Sequence, residues 1–148
     1  MMKTITHNHQ LLFCFLFISL SFAGFEKEFQ TKLILAELGD TLKIPSGTQN
    51  LLGTLSLDGK ENIVISGNGI DESILSFKNQ EDCAVGLKII NCKNIMLENF
   101  TIQDTKGDGI KVQETDGVSM VHVKAEWTNG PNPENGAMGC IRYNAGMW

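Results

Sequence analysis

Two lysines share one sequence context: Lys88 in Gly86-Leu87-Lys88-Ile89 and Lys111 in Gly109-Ile110-Lys111-Val112. In an extended segment whose Leu and Ile face one way, each ammonium faces the other way. Stacked cations of this kind would hold a carboxylated or sulfated chain, each contact being modest and salt-sensitive. An ordinary solvated strand face is the competing reading. Lys43, in Asp40-Thr41-Leu42-Lys43-Ile44, is a further candidate for the same column.

Other segments offer different chemistry. Asp104-Thr105-Lys106-Gly107-Asp108-Gly109 places two carboxylates around a lysine, which suits acid/base work or Ca²⁺ but equally suits a turn. In Glu126-Trp127-Thr128-Asn129-Gly130-Pro131-Asn132-Pro133-Glu134-Asn135, the indole of Trp127 would stack on a sugar ring, with Glu126, Glu134 and Asn135 as polar contacts. A loop pinned by a buried Trp fits the same residues. The expected substrate contacts are therefore Lys88, Lys111, Asp108, Glu126, Trp127 and Asn135. No catalytic residue, metal ligand or cofactor motif emerges.

Charge narrows the partner. With 17 acidic against 12 basic side chains and no Lys/Arg block, the chain lacks the concentrated positive face that phosphate backbones require. Nucleic acid is excluded as the main partner.

The elements that must carry these residues follow from an internal repeat. A shift of 23 residues lays Leu87-Lys88-Ile89 on Ile110-Lys111-Val112, Asn94-Ile95-Met96-Leu97 on Gly117-Val118-Ser119-Met120, and Phe100-Thr101-Ile102 on Val123-Lys124-Ala125. An earlier copy lies at a shift of 32, with Leu55-Ser56-Leu57 on Leu87-Lys88-Ile89 and Asn62-Ile63-Val64-Ile65 on Asn94-Ile95-Met96-Leu97. The nine extra residues are expected in one excursion, Lys78 to Val85. Three short strands per repeat predict an all-β, right-handed, single-stranded parallel β-helix, each strand pairing with its equivalent one coil away at about 4.8 Å.

Within each strand the side chains alternate. Leu87, Ile89, Ile95, Leu97, Phe100 and Ile102 are expected inside, with Lys88, Met96 and Thr101 outside. Asn99 sits where a bend needs the left-handed conformation, and His122 takes the matching place one coil on. His122 therefore reads as a corner residue rather than a base or ligand.

The run Gly39-Asp40-Thr41-Leu42-Lys43-Ile44-Pro45-Ser46-Gly47-Thr48 resembles the entry segment of right-handed parallel β-helix proteins of the pectin-lyase-like class. Asn91-Cys92-Lys93-Asn94-Ile95-Met96-Leu97-Glu98-Asn99-Phe100-Thr101-Ile102 is similar to coils of secreted bacterial right-handed β-helix repeat proteins. The resemblance spans roughly residues 27–137 and implies extracellular polysaccharide, a polyuronate for instance, as partner. If the chain were an enzyme, it implies a polysaccharide lyase or glycoside hydrolase. The catalytic signatures of polygalacturonases and alginate epimerases are missing, so a structural or adhesive solenoid that binds a protein is the alternative.

Boundaries complete the expectation. Residues 1–23 read as a signal peptide, with an apolar run from Leu11 to Phe22 that is too short to span a bilayer, and with small residues before Gly24. This predicts a secreted or periplasmic protein without a membrane anchor. Residues 24–38 read as a capping segment, with an amphipathic helix over Phe29–Leu38 presenting Phe29, Leu33, Ile34 and Leu38, and residues 39–137 as the coils. From Met138 onward neither alternation nor a corner residue is evident. A one-base frame change after Ala137 would turn residues 138–148 into Tyr-Gly-Leu-Tyr-Pro-Val-Gln-Cys-Gly-Asn-Val, which resumes the repeat. The expectation is thus an N-terminal fragment of a longer β-helix, ending in an out-of-frame tail; a short complete protein is the alternative.

Overall fold

A computed structural model describes residues 22–80, 85–130 and 141–144, with side chains for 24–80 and 85–130. The chain is a parallel β-solenoid of about four turns. Each turn has three faces. The first face stacks β1 (Thr41–Lys43), β4 (Val64–Ser66) and the leading halves of β7 (Lys93–Gln103) and β9 (Asp116–Glu126). The second face stacks β2 (Gly47–Asn50), β5 (Ser73–Ser76) and the trailing halves of β7 and β9. The third stacks β3 (Leu55–Asp58), β6 (Leu87–Ile90), β8 (Ile110–Gln113) and β10 (Ile141–Asn144).

The period-two pattern places the apolar residues in register inside. Leu55, Leu87 and Ile110 form one stack, and Leu57, Ile89 and Val112 the next, all at most 1% exposed. Each such side chain contributes about 1.5–3 kcal/mol on burial, so a slip of one residue would invert every rung. The 23- and 32-residue shifts read from the sequence are the observed registers on the first and third faces.

Corners repeat as strictly as strands. Gly59 (φ 64°), Asn91 (52°) and Glu114 (47°) follow the third face. Gly39 (89°), Asn62 (55°), Asn94 (52°) and Gly117 (75°) open the first. Asn99 (59°) and His122 (49°) divide the long strands β7 and β9. Left-handed backbone is easy only for Gly and tolerable for Asn, and the amide of Asn94 donates to Asn62 Oδ1 at 3.1 Å, joining two corners along the axis.

Three expectations need correction. The extra residues of the second turn are split between two corners: the offset to the next turn is 32 at Val64↔Met96, 27 at Ile74↔Thr101 and 23 at Leu87↔Ile110. One excursion is therefore Gly67–Glu72 and the other lies beyond Ser76. Thr101 projects outward as expected but is fully buried, because the first excursion lies on it and its hydroxyl donates to Ile70 O at 2.5 Å. Residues 141–144, read from sequence as outside the repeat, form β10 and pair with β8, with Ile141 opposite Ile110 and Tyr143 opposite Val112. Their alternation is only four residues long and lacks the glycine that precedes β6 and β8.

Helix α1 (Phe22–Leu35) lies over the first turn. It starts earlier than the expected Phe29 and ends before Leu38. Phe29 and Leu33 plug the core, while Ile34 and Leu38 are exposed. Its attachments mimic a missing coil. The Gln30 side chain accepts from Ser56 N at 2.8 Å and donates to Ser56 O at 3.0 Å, as a strand backbone would. Glu26 accepts from the N–H groups of Leu52 and Gly53. The ammonium of Lys60 donates to the carbonyls of Ile34 and Ala36, placing positive charge at the helix C-terminus.

Candidate functional site

The expected lysine column exists. Lys88 pairs directly with Lys111 on the outer side of the third face, and the register places Arg142 next in line below Ser56, Lys88 and Lys111. Neither lysine makes an ion pair within 4 Å among the described residues. Like charges directly opposite each other on neighbouring strands repel, and among the described residues no carboxylate pairs with either member of the column. Lys43 is not part of it. It lies on the first face, where its ammonium donates to Ser66 Oγ at 3.0 Å, because β1 pairs with β4 rather than with a third-face strand.

The corner between the second and third faces is where the chain departs most from a minimal coil. Three successive turns contribute to it just past the register-matched strand ends Ser76, Gln103 and Glu126. Together they line a cleft of about 110 Å³ whose walls include Lys78, Lys106, Trp127 and Asn129. Cross-coil hydrogen bonds hold its walls. Gln80 accepts from Lys106 N at 3.3 Å and donates to Val85 O, the indole N–H of Trp127 donates to Thr105 O at 2.7 Å, and both oxygens of Asp104 accept from Thr128. The ring of Trp127 also packs beside Gly109. Trp127 is thus a structural pin whose exposed remainder walls the cleft.

The remaining expected contacts divide. Asp108 is only 8% exposed, inside the corner, which leaves it little surface to offer a polymer. Glu126 belongs to the second face, where it accepts from Lys124 at 2.7 Å and from Gln103 at 3.1 Å. The Lys124 hydrogen bond holds its carboxyl below the usual range, and the same bond raises the pKa of Lys124. Lys88, Lys111 and the Trp127 corner therefore adjoin one edge, since β6 and β8 leave that corner. Glu126 faces elsewhere. Asn135, Glu134, Cys83, Cys140, residues 1–21 of the expected signal peptide and the rest of the tail lie outside the described residues.

The sequence reading missed Lys78, Lys106 and Asn129 as neighbours. Their signal was available only as register, each lying two or three residues after an equivalent strand end. Cys92 offers no reactivity. Burial pushes its thiol pKa up, and the thiol donates to Ile90 O at 3.0 Å, so it stays protonated and unreactive at neutral pH. Among the described residues no group of His, Cys, Asp and Glu gathers as a metal site, and no helix is long and apolar enough to cross a membrane.

The fold and this edge define a parallel β-solenoid with a basic stripe beside an indole-walled corner. No protein-family model, no curated protein and no solved structure matches the chain.

Proposed function

We propose that this chain is an exported β-solenoid of the pectin-lyase-like type that holds an acidic extracellular polysaccharide along its third face. The observation that carries the reading is the register of Lys88 on Lys111, two half-buried lysines without an ion pair among the described residues. Strand spacing sets them about 4.8 Å apart, a spacing at which one extended anionic chain running along the solenoid axis meets both. The protein's net charge of −5 does not cancel the stripe, because charges beyond about 10 Å are screened at 0.1 M salt. The residues supporting the reading are Lys88 and Lys111, with Trp127 at the adjoining corner.

Retention on immobilised pectate, alginate and sulfated glycans tests it. The expected result is retention at low salt that is lost at high salt, and is absent on a neutral glucan. Lys88→Ala/Lys111→Ala should weaken it about tenfold, since each partly exposed charge contributes roughly 0.5–1 kcal/mol. Equal retention of the double variant, or of the wild type on neutral glucan, would overturn the reading.

A further inference from the structure

The cleft between the second and third faces adjoins the lysine stripe, but neither Lys88 nor Lys111 lines it. Its walls come from three turns: Lys78 from the second, Lys106 from the third, and Trp127 and Asn129 from the fourth. The three turns are tied to one another there: Gln80 accepts from Lys106 N, Trp127 donates to Thr105 O and Thr128 donates to Asp104, so the backbone of the cleft is set before a ligand enters. Neither Lys78 nor Lys106 has an ion pair within 4 Å among the described residues. Asp104, the carboxylate in the lining, directs both oxygens to Thr128. Two lysines, an amide and an aromatic side chain thus line a cleft of about 110 Å³.

We propose that this cleft binds a single uronate unit, its carboxylate between Lys78 and Lys106 and its ring against the indole of Trp127, with Asn129 donating to or accepting from a hydroxyl. Sugar rings present apolar C–H faces that pack on aromatic surfaces, while a carboxylate is the group that lysine ammoniums attract. Such a site would grip one residue or an end of the polymer that lies on the stripe. In that respect it rests on the acidic-glycan reading above, although binding of the isolated unit does not require the stripe.

The test uses Trp148→Phe, which leaves Trp127 as the remaining tryptophan. Millimolar glucuronate should change its fluorescence and shift the backbone amide resonances of Lys106 and Asn129, and glucose at the same concentration should do neither. Lys78→Ala/Lys106→Ala should weaken the response about tenfold with an unchanged circular dichroism spectrum. Lys88→Ala/Lys111→Ala should leave it intact. If glucuronate gives no response, or glucose gives the same one, the proposal fails. If inorganic sulfate reproduces the full response, the site is a bare oxyanion site and the sugar assignment fails. A uronate response in a protein that no acidic polymer retains would sink the stripe reading and leave the cleft standing.

Discussion

Asn99 and His122 occupy the same left-handed corner one coil apart, with φ of 59° and 49°. Backbone geometry, not imidazole chemistry, is what His122 supplies: it is exposed, in a bend that an L-residue adopts at a cost of about 1–2 kcal/mol. His122→Asn or His122→Gly should therefore fold at least as stably as the parent. His122→Val should lose about 1–2 kcal/mol, because a β-branched side chain tolerates this region least. Urea unfolding measures both, and a loss of glycan retention in His122→Asn would contradict the assignment.

The excursion Gly67–Glu72 depends on a glycine for space rather than for φ. A methyl group on Gly67 would overlap the carbonyl oxygen of Asn99 and come within 2.9 Å of Phe100 Cβ and 2.8 Å of Ser73 Cβ. None of these atoms is a flexible end that could swing aside. Gly67→Ala should destabilise the protein by about 1–3 kcal/mol. Hydrogen exchange should show the loss concentrated where the excursion rests on the next turn, at Gly69 N, which donates to Asn99 O.

The ion pair on the second face gives a pH dependence of known sign. Glu126 has its carboxyl pKa lowered by hydrogen bonds from Lys124 and Gln103. A depressed folded-state value adds stability above the unfolded carboxyl pKa of about 4.3 and loses it as the pH falls through the folded value. The window is therefore acidic, below about pH 5. Lys124→Gln should move the Glu126 titration, followed by carbon NMR, back toward the ordinary range. The accompanying change in stability should be small and should shrink with added salt, since both side chains are substantially exposed.

Strand register was legible in the sequence because two independent signals coincide. Apolar residues alternate over Leu55–Leu57, Leu87–Ile89 and Ile110–Val112, and Gly or Asn recurs at matching corners such as Asn62, Asn94 and Gly117. That was enough to align Lys88 with Lys111 and Asn99 with His122. The cleft was not legible in the same way. Its walls depend on how the second turn divides its extra residues, and Gly67–Glu72 and the residues after Ser76 are both polar and turn-rich, so composition does not apportion them. Thr101 shows the same limit, since its position in the strand predicted its direction but not the excursion that covers it. The last strand of the fourth turn is not legible, because Ile141–Asn144 offers too little alternation to be told from coil without its pairing to β8.

The first turn would expose the backbone of β3 but for α1, and the substitution that isolates this effect is at Gln30. Its amide makes both bonds of a β-ladder to Ser56, one accepted and one donated. An open edge is a template for pairing with another chain, so Gln30 should matter for solubility as well as for stability. Gln30→Glu keeps the acceptor but loses the donor, and it sets a carboxylate oxygen against the Ser56 carbonyl. That variant should lose about 1–3 kcal/mol, and lowering the pH to protonate the new carboxyl should recover part of the loss. Gln30→Ala should lose about as much without any recovery in acid. Urea unfolding at two pH values separates the cases, and equal pH responses for the two variants would show that the Gln30 bonds to Ser56 do not help to hold α1.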